Sequence, residues 1–329
     1  MKIVLFSTKP YDKIWFEPLS GQYGMEVKFL EPKLDEDTVF MANGSELVCA
    51  FVNDVLNEKV IEELKKLNIK GILMRCAGYN NVDLKAASRC ELPVMHVPGY
   101  SPEAVAEFAM GLCLAVNRHI HKAYARTRDF NMNINGLMGR DMCNKTAGII
   151  GTGRIGQAMI RICKGFGMRV MAYDVYPNKN LDVEYVDLDT LFSKSDMISL
   201  HCPLTQDTHY IIDEHALSLM PNGVYIINTS RGPLIKTSAL IQALKVPGKI
   251  GGVGLDVYEE EGDLFYEDHS NEIMEDEQLA RITSFRNVII TSHQGYFTRE
   301  AMQAIAIETM ENAYAIENGK ELVNQVNKL

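Results

Sequence analysis

The sequence lacks any long hydrophobic run. No apolar stretch reaches the roughly 18 residues of a membrane-spanning helix. Residues 1–7 contain only four consecutive apolar side chains, which is too short for a secretory signal. The composition, 47% hydrophobic and 23% charged over 329 residues, is typical of a soluble globular chain. We therefore expect a cytoplasmic protein of about two domains with no membrane partner.

Cysteine pairs are also missing. The seven cysteines are scattered along the chain and none is spaced as C-x-x-C, which argues against a disulfide framework and a zinc ribbon. His119 and His121 are two positions apart on an expected helix, so they face different sides and make a poor metal pair. We expect reduced thiols and no metal ion.

Lysine and arginine are absent from the segment 258–277, called here the acidic segment, which contains ten acidic side chains. Because the formal net charge of the chain is −10, the remainder of the chain is neutral. An acidic segment of this kind is usually a solvated loop or helix face. We expect neither nucleic acid nor an anionic membrane as a partner.

Short runs rich in valine and isoleucine alternate with longer amphipathic stretches. This alternation is typical of βαβ units and parallel sheets. Helices are predicted over 57–67, from an apolar stripe, and from Ser101 to 116, where a hydroxyl, a proline and a carboxylate signal a helix start. The predicted strands are 2–6, 47–52, 71–74, 146–150, 168–173, 196–200, 224–228, 253–257 and 288–291.

A glycine-rich loop with the spacing G-x-G-x-x-G follows the predicted strand 146–150. Gly151 permits a tight turn, Gly153 lets the backbone approach a diphosphate, and Gly156 lets the following helix pack on the strand. Asp174 follows the next strand, near the spacing of a ribose-binding carboxylate, and its charge favours NAD over NADP. The alternatives are a plain turn between strand and helix and a surface aspartate.

Three further signals stand at the ends of predicted strands, where α/β sheets bind ligands. Arg231 offers a guanidinium fork that suits a carboxylate, although a surface ion pair is the commoner role of an arginine. The strand 253–257 runs into several carboxylates, and spacing alone does not select one of them. His293 follows the strand 288–291 and suits a general acid, although a lone histidine is more often structural.

Together these features resemble the D-isomer-specific 2-hydroxyacid dehydrogenases, and most closely their fermentative D-lactate dehydrogenase branch. The resemblance covers nearly the whole chain, with one departure at Gly295, where the family usually has alanine. Six motifs follow the order of the family: residues 75–81, 151–156, 201–204, 228–233, 256–261 and 293–298.

The resemblance implies roles for three catalytic residues. Arg231 would bind and polarise a 2-keto acid, Glu261 would hydrogen-bond His293, and His293 would donate a proton to the carbonyl oxygen. The chemistry of these side chains agrees with the roles, because an imidazolium both stabilises the negative charge that develops on that oxygen and protonates it.

The same resemblance implies which residues contact substrate and cofactor. Ala77 and Gly78 would bind the substrate carboxylate through backbone amides, and Tyr100 and Tyr296 would line the pocket, core packing being the alternative for the tyrosines. Besides the glycines and Asp174, the positions implied to contact the cofactor are Arg154, Ile155, Cys202, Pro203, Thr208, Thr229, Ser230 and Asp256.

The resemblance implies an α/β fold of two doubly wound parallel-sheet domains. A Rossmann cofactor domain, residues 101–297, would be inserted into a flavodoxin-like substrate domain, residues 1–100, to which a C-terminal helix, residues 298–329, returns. The expected activity is NADH-dependent reduction of pyruvate to D-lactate by a homodimer or homotetramer. The alternatives are an enzyme for a bulkier 2-keto acid and a non-enzymatic NADH-sensing protein of the same fold.

Overall fold

The chain folds into two compact units. The computed structural model describes residues 1–262 and 264–328. The first unit consists of residues 1–101 and the chain from residue 297 onward, and the second unit consists of residues 102–296. No helix within the described residues is long and apolar enough to cross a membrane.

Strands and helices alternate along most of the chain. The strands are β1 (Lys2–Leu5), β2 (Glu26–Phe29), β3 (Leu47–Ala50), β4 (Gly71–Met74), β5 (Val94–Met95), β6 (Thr146–Ile150), β7 (Arg169–Tyr173), β8 (Glu184–Tyr185), β9 (Met197–Leu200), β10 (Val224–Asn228), β11 (Ile250–Leu255) and β12 (Val288–Ile290). The helices are α1 (Pro10–Tyr23), α2 (Glu58–Lys66), α3 (Leu84–Arg89), α4 (Pro102–Asn117), α5 (Ile120–Arg128), α6 (Arg154–Gly165), α7 (Leu188–Lys194), α8 (Glu214–Leu219), α9 (Thr237–Leu244), α10 (Glu277–Thr283) and α11 (Arg299–Glu317).

The first unit contains a five-stranded parallel sheet. Its order is β2-β1-β3-β4-β5, which is the flavodoxin-like order and reverses between β1 and β3. Strands β3 and β4 are buried along their whole length, as expected of a parallel sheet covered on both faces. Helix α11 belongs to this unit, where Ala306 and Met310 share an apolar core with Ile3 and Leu47.

The second unit contains a seven-stranded parallel sheet in the order β12-β11-β10-β9-β6-β7-β8. Read from the opposite edge, the first six strands are β8-β7-β6-β9-β10-β11. With β6 counted as the first strand, this is the Rossmann order 3-2-1-4-5-6. Successive residues of a strand face opposite sides of the sheet, so Ile226 and Ile227 of β10 belong to two different apolar cores. The predicted fold class, two doubly wound parallel α/β sheets, is confirmed.

His201 is a neutral side chain in the second unit. It follows β9, its Nε2 is 2.8 Å from the hydroxyl of the buried Ser199, and burial lowers its pKa to about 4. An unfolded histidine titrates near 6.5, so the unfolded chain binds a proton that the folded chain excludes. The shifted pKa of His201 therefore has no effect on the free energy of unfolding above pH 6.5, and it lowers that free energy as the pH falls toward 4.

We therefore expect the free energy of unfolding to decrease by up to about 3 kcal/mol between pH 6.5 and 4 because of this one histidine. The measurement is the thermal midpoint of the wild type and of His201→Gln at several pH values in that window, and the variant should depend less on pH. The control is His209→Gln, which replaces an exposed histidine. Equal pH dependence of all three proteins would contradict the prediction.

Candidate active site

The glycine-rich loop joins β6 to α6 in the second unit. Gly151 has φ +93°, and a Cβ atom there would lie 2.6 Å from the backbone of His201 and Cys202. A Cβ atom on Gly156 would lie 2.0 Å from the carbonyl oxygen of Gly151. Gly153, at the N-cap of α6, instead faces open space. The loop therefore leaves room beside free helix N–H groups, which fits a diphosphate.

Asp174 lies beside this loop at the end of β7. Its Oδ2 accepts hydrogen bonds from the Thr152 amide at 2.6 Å and the Thr152 hydroxyl at 2.9 Å, and its Oδ1 accepts one from the Tyr176 amide at 2.9 Å. Burial alone would raise the pKa of Asp174, but these hydrogen bonds outweigh burial and lower it. The carboxylate is thus anionic and fixed, which suits the hydroxyl groups of a ribose and disfavours a 2′-phosphate.

The segments after β9 and β10 lie against the same edge of the sheet. Ser230 donates its hydroxyl to the carbonyl oxygen of Cys202 at 2.7 Å, and Thr208 donates to that of Pro203 at 2.7 Å. Burial raises the pKa of the Cys202 thiol to about 11, so it is neutral. Thr229 Oγ1 is buried and has no hydrogen-bond partner within the described residues. These groups, with the exposed Arg154 and half-buried Ile155 of α6, fit a dinucleotide.

His293 follows β12 and pairs with Glu261. Its Nδ1 is 3.2 Å from Glu261 Oε1, and Glu261 Oε2 accepts a hydrogen bond from the Tyr258 amide at 3.1 Å. His293 has φ +52°, and its carbonyl oxygen accepts a hydrogen bond from the Tyr266 hydroxyl at 3.1 Å. Both paired side chains are partly exposed. The second ring nitrogen of His293, Nε2, has no hydrogen-bond partner within the described residues, so it is available to a reacting group.

Asp256 anchors the segment that carries His293. Its carboxylate is buried and accepts hydrogen bonds from the Thr291 hydroxyl at 2.6 Å, the Gln294 amide at 2.9 Å and the Gly295 amide at 2.7 Å. A Cβ atom on Gly295 would lie 2.9 Å from Asp256 Oδ2, which explains glycine at this position. The observed contacts of Asp256 are thus to the protein, and its contact with a cofactor stays a prediction.

Arg231 follows β10 at the same edge of the sheet. It is half-buried, and its Nη1 donates to the carbonyl oxygen of Ser230 at 2.6 Å. Asn228 donates its side-chain amide to the Arg231 carbonyl oxygen at 2.8 Å and so fixes the turn. The other guanidinium N–H groups have no protein acceptor within the described residues, so they can bind a carboxylate.

The predicted substrate residues are divided between the units. Ala77 and Gly78 follow β4 in the first unit, and within the described residues their backbone amides have no protein acceptor. The Ala77 carbonyl oxygen is 2.9 Å from His96 Nδ1. Tyr100 is half-buried in the first unit, whereas Tyr296 is buried in the second unit.

The sequence reasoning missed two residues that hold the site together. Thr152 binds Asp174, and Tyr266 binds His293. Thr152 lies between the first two glycines of the motif, so its hydroxyl could have been predicted to lie near Asp174. No pattern in the sequence singles out Tyr266.

The chain is similar to known proteins in both sequence and structure. Residues 110–295 match the family described as D-isomer specific 2-hydroxyacid dehydrogenase, NAD binding domain. The D-lactate dehydrogenase of Escherichia coli strain K12 is 51% identical over 329 residues, which are 99% of this chain and 100% of that protein. Its apo structure has a TM-score of 0.91 at 48% identity and covers 99% of this chain and 100% of that chain.

Two more distant structures have the same architecture. A D-2-hydroxyisocaproate dehydrogenase is 31% identical with a TM-score of 0.88, and the match covers 100% of both chains. A D-lactate dehydrogenase from Lactobacillus jensenii, solved with NAD⁺, is 31% identical with a TM-score of 0.83 and also covers 100% of both chains. The Rossmann unit, its fixed aspartate and these matches have one explanation: the chain belongs to the D-isomer-specific 2-hydroxyacid dehydrogenases and is an NAD-dependent enzyme.

Proposed function

We propose that the protein reduces pyruvate to D-lactate with NADH. The observation that carries the proposal is the His293–Glu261 pair on the sheet edge of an NAD-binding unit, with Arg231 following the neighbouring strand β10. The name of the E. coli relative, 51% identical over the whole chain, supports pyruvate as the substrate.

His293 acts as the proton donor in this proposal. Bound NADH supplies the hydride that is added to C2 of the keto acid. Glu261 holds Nδ1 of His293, so Nε2 is the nitrogen that delivers the proton to the carbonyl oxygen. A protonated imidazole also stabilises the negative charge that develops on this oxygen.

Arg231 and the first unit bind the substrate. The open N–H groups of Arg231 can bind the keto acid in a fork geometry and polarise its carbonyl group. We assign the amides of Ala77 and Gly78 to the substrate carboxylate, and we assign Tyr100 and Tyr296 to contacts with the substrate. The two unpaired amides support this assignment, because buried or binding-site N–H groups need an acceptor.

Two other functions use the same fold. A bulkier 2-keto acid is the substrate that the name of the isocaproate relative suggests, but that protein is only 31% identical. An NADH-sensing protein needs the cofactor site alone, whereas this chain also has a paired His293 and Glu261.

The test follows NADH absorbance with pyruvate, 2-ketoisocaproate, phenylpyruvate, oxaloacetate and hydroxypyruvate, with chiral analysis of the product. We expect the highest kcat/KM with pyruvate and D-lactate as the product. A higher kcat/KM with a bulkier acid would move the assignment to a related dehydrogenase, and NADH binding without any turnover would favour the sensor.

The variant His293→Gln tests the role of His293, because it keeps a polar side chain but removes the proton donor. It should bind NADH like the wild type while kcat falls by about 10²–10⁴-fold, the usual contribution of a general acid. Loss of NADH binding in this variant would point instead to a structural role of His293.

Asp174 determines the coenzyme preference in this proposal. Its anionic carboxylate repels a 2′-phosphate, so the wild type should strongly prefer NADH over NADPH. Asp174→Ala removes that repulsion, and the ratio of kcat/KM values for the two coenzymes should fall by about tenfold or more. A wild type that used both coenzymes equally well would show the role of Asp174 to be wrong.

We also propose that the protein is a homo-oligomer, formed through α5 and the segment 129–139 that follows it. Phe130, Ile134 and Met138 are 88%, 79% and 91% exposed in this short stretch. Neighbouring exposed apolar side chains are typical of a protein interface, and a second copy of the chain is the partner that the family resemblance implies.

Light scattering should therefore give a mass of two or four times 36.9 kDa. Ile134→Asp should shift the protein toward the monomer, because a charge in a closely packed interface is costly. Ile273→Asp is the matched control, since Ile273 is 90% exposed in the acidic segment. A wild-type monomer, or equal masses for both variants, would contradict the prediction.

A further inference from the structure

A buried ion cluster lies at the carboxyl ends of β1, β3 and β4 in the first unit. Arg75 directly follows β4, and its Nε is 3.6 Å from Asp12 Oδ1, with both side chains only 4% exposed. Its Nη2 donates to the carbonyl oxygen of Ser7, after β1, at 2.9 Å. Its guanidinium carbon is 4.8 Å from the centre of the Phe51 ring, after β3. Arg75 therefore connects three neighbouring strand ends.

Asp54 completes the cluster. Its buried carboxylate accepts hydrogen bonds from the Ser7 hydroxyl at 2.6 Å, the Leu34 amide at 2.8 Å and the Phe51 amide at 2.6 Å. Burial works against the charge of Arg75, but the negative charge of Asp12 and the effect of its other neighbours, among them Asp54, outweigh burial and raise its pKa. The cluster lies where the order of the sheet reverses, the place at which open α/β sheets bind ligands.

The segment 76–81 begins at this cluster and ends on it. Asn81 donates its side-chain amide to the carbonyl oxygens of Phe51 at 2.9 Å and Asp54 at 2.8 Å. Between these two anchors lie Ala77 and Gly78, whose amides have no protein acceptor within the described residues. The cluster thus fixes both ends of the segment that carries the two amides.

We propose that Arg75 is a positioning residue for the substrate, which holds the segment 76–81 so that the amides of Ala77 and Gly78 are in place for the carboxylate of the 2-keto acid. This inference rests on the proposed function. Arg75 acts through the segment and not by contact, because its side chain is only 4% exposed: Nη2 donates to Ser7, Nε lies beside Asp12, and Nη1 is buried without a hydrogen-bond partner within the described residues. Donors that are fixed in advance bind an anion without the cost of ordering them.

A lysine cannot replace Arg75 in this role, since a point charge cannot reach Ser7 and Asp12 as the planar fork does. For Arg75→Lys we expect the KM for pyruvate to rise about tenfold, the effect of weakening one charged hydrogen bond, while kcat changes less than about twofold. The inhibition constant of oxamate, an unreactive analogue of pyruvate, should rise by the same factor, and the KM for NADH should stay unchanged.

The matched control is Arg140→Lys. Arg140 also donates to a backbone carbonyl, that of Gly223 at 3.2 Å, but it does so at the amino-terminal edge of the second sheet. This variant should keep the wild-type KM for pyruvate. A lower thermal midpoint of Arg75→Lys with an unchanged KM and oxamate constant would overturn the inference, because it would indicate a purely structural role.

A second variant decides the question if Arg75→Lys does not fold. Asp12→Asn keeps the shape of the side chain and removes the counter-charge of Arg75. A raised KM for pyruvate with an unchanged kcat supports the inference, and an unchanged KM overturns it. A wild type that turns over no 2-keto acid refutes the proposed function and the inference together, whereas an active wild type with insensitive variants refutes the inference alone.

Discussion

One buried carboxylate, that of Asp256, fixes the geometry around His293. The histidine has φ +52°, a conformation that side chains other than glycine rarely adopt, so its neighbours must hold it there. Three hydrogen bonds connect the Asp256 carboxylate to the segment 291–295, and the His293 amide donates to the Asp256 carbonyl oxygen at 2.7 Å. Burial raises the pKa of Asp256, and those hydrogen bonds act against that rise. The anchor holds the backbone of His293, and the imidazole of this residue pairs with Glu261.

The parallel sheet explains why residues far apart in the sequence come together. Every strand of the second unit runs in the same direction, so all carboxyl ends lie at one edge. Arg231, Glu261 and His293 follow β10, β11 and β12, which are consecutive neighbours in the sheet. The glycine-rich loop and Asp174 follow β6 and β7 on the other side of β9. The same edge therefore supplies both the cofactor residues and the proposed catalytic residues.

The central strands and the edge strand β12 could be predicted from the sequence, and the other edge strands could not. Fully buried strands such as β3 and β4 are continuous apolar runs, which are easy to recognise in a sequence. The missed strands β2, β5 and β8 are edge strands. β5 and β8 have two residues each, and β2, with the sequence EVKF, is half charged. Helix α1 was missed as well, because Pro18 and Gly21 interrupt its pattern. Secondary-structure propensity is a weak predictor where few side chains are buried.

The acidic segment illustrates why part of the site was beyond prediction. Its charge suggested a solvated loop, and most of its carboxylates are indeed exposed. Yet the Tyr258 hydroxyl donates to Asp276 Oδ2 at 2.7 Å, Phe265 is buried in an apolar core, and Tyr266 binds the His293 carbonyl oxygen. These contacts require the segment to reverse direction, which no periodic pattern encodes. Water and salt screen the repulsion among the exposed carboxylates, and three aromatic side chains connect the segment to Asp276, to the apolar core and to His293.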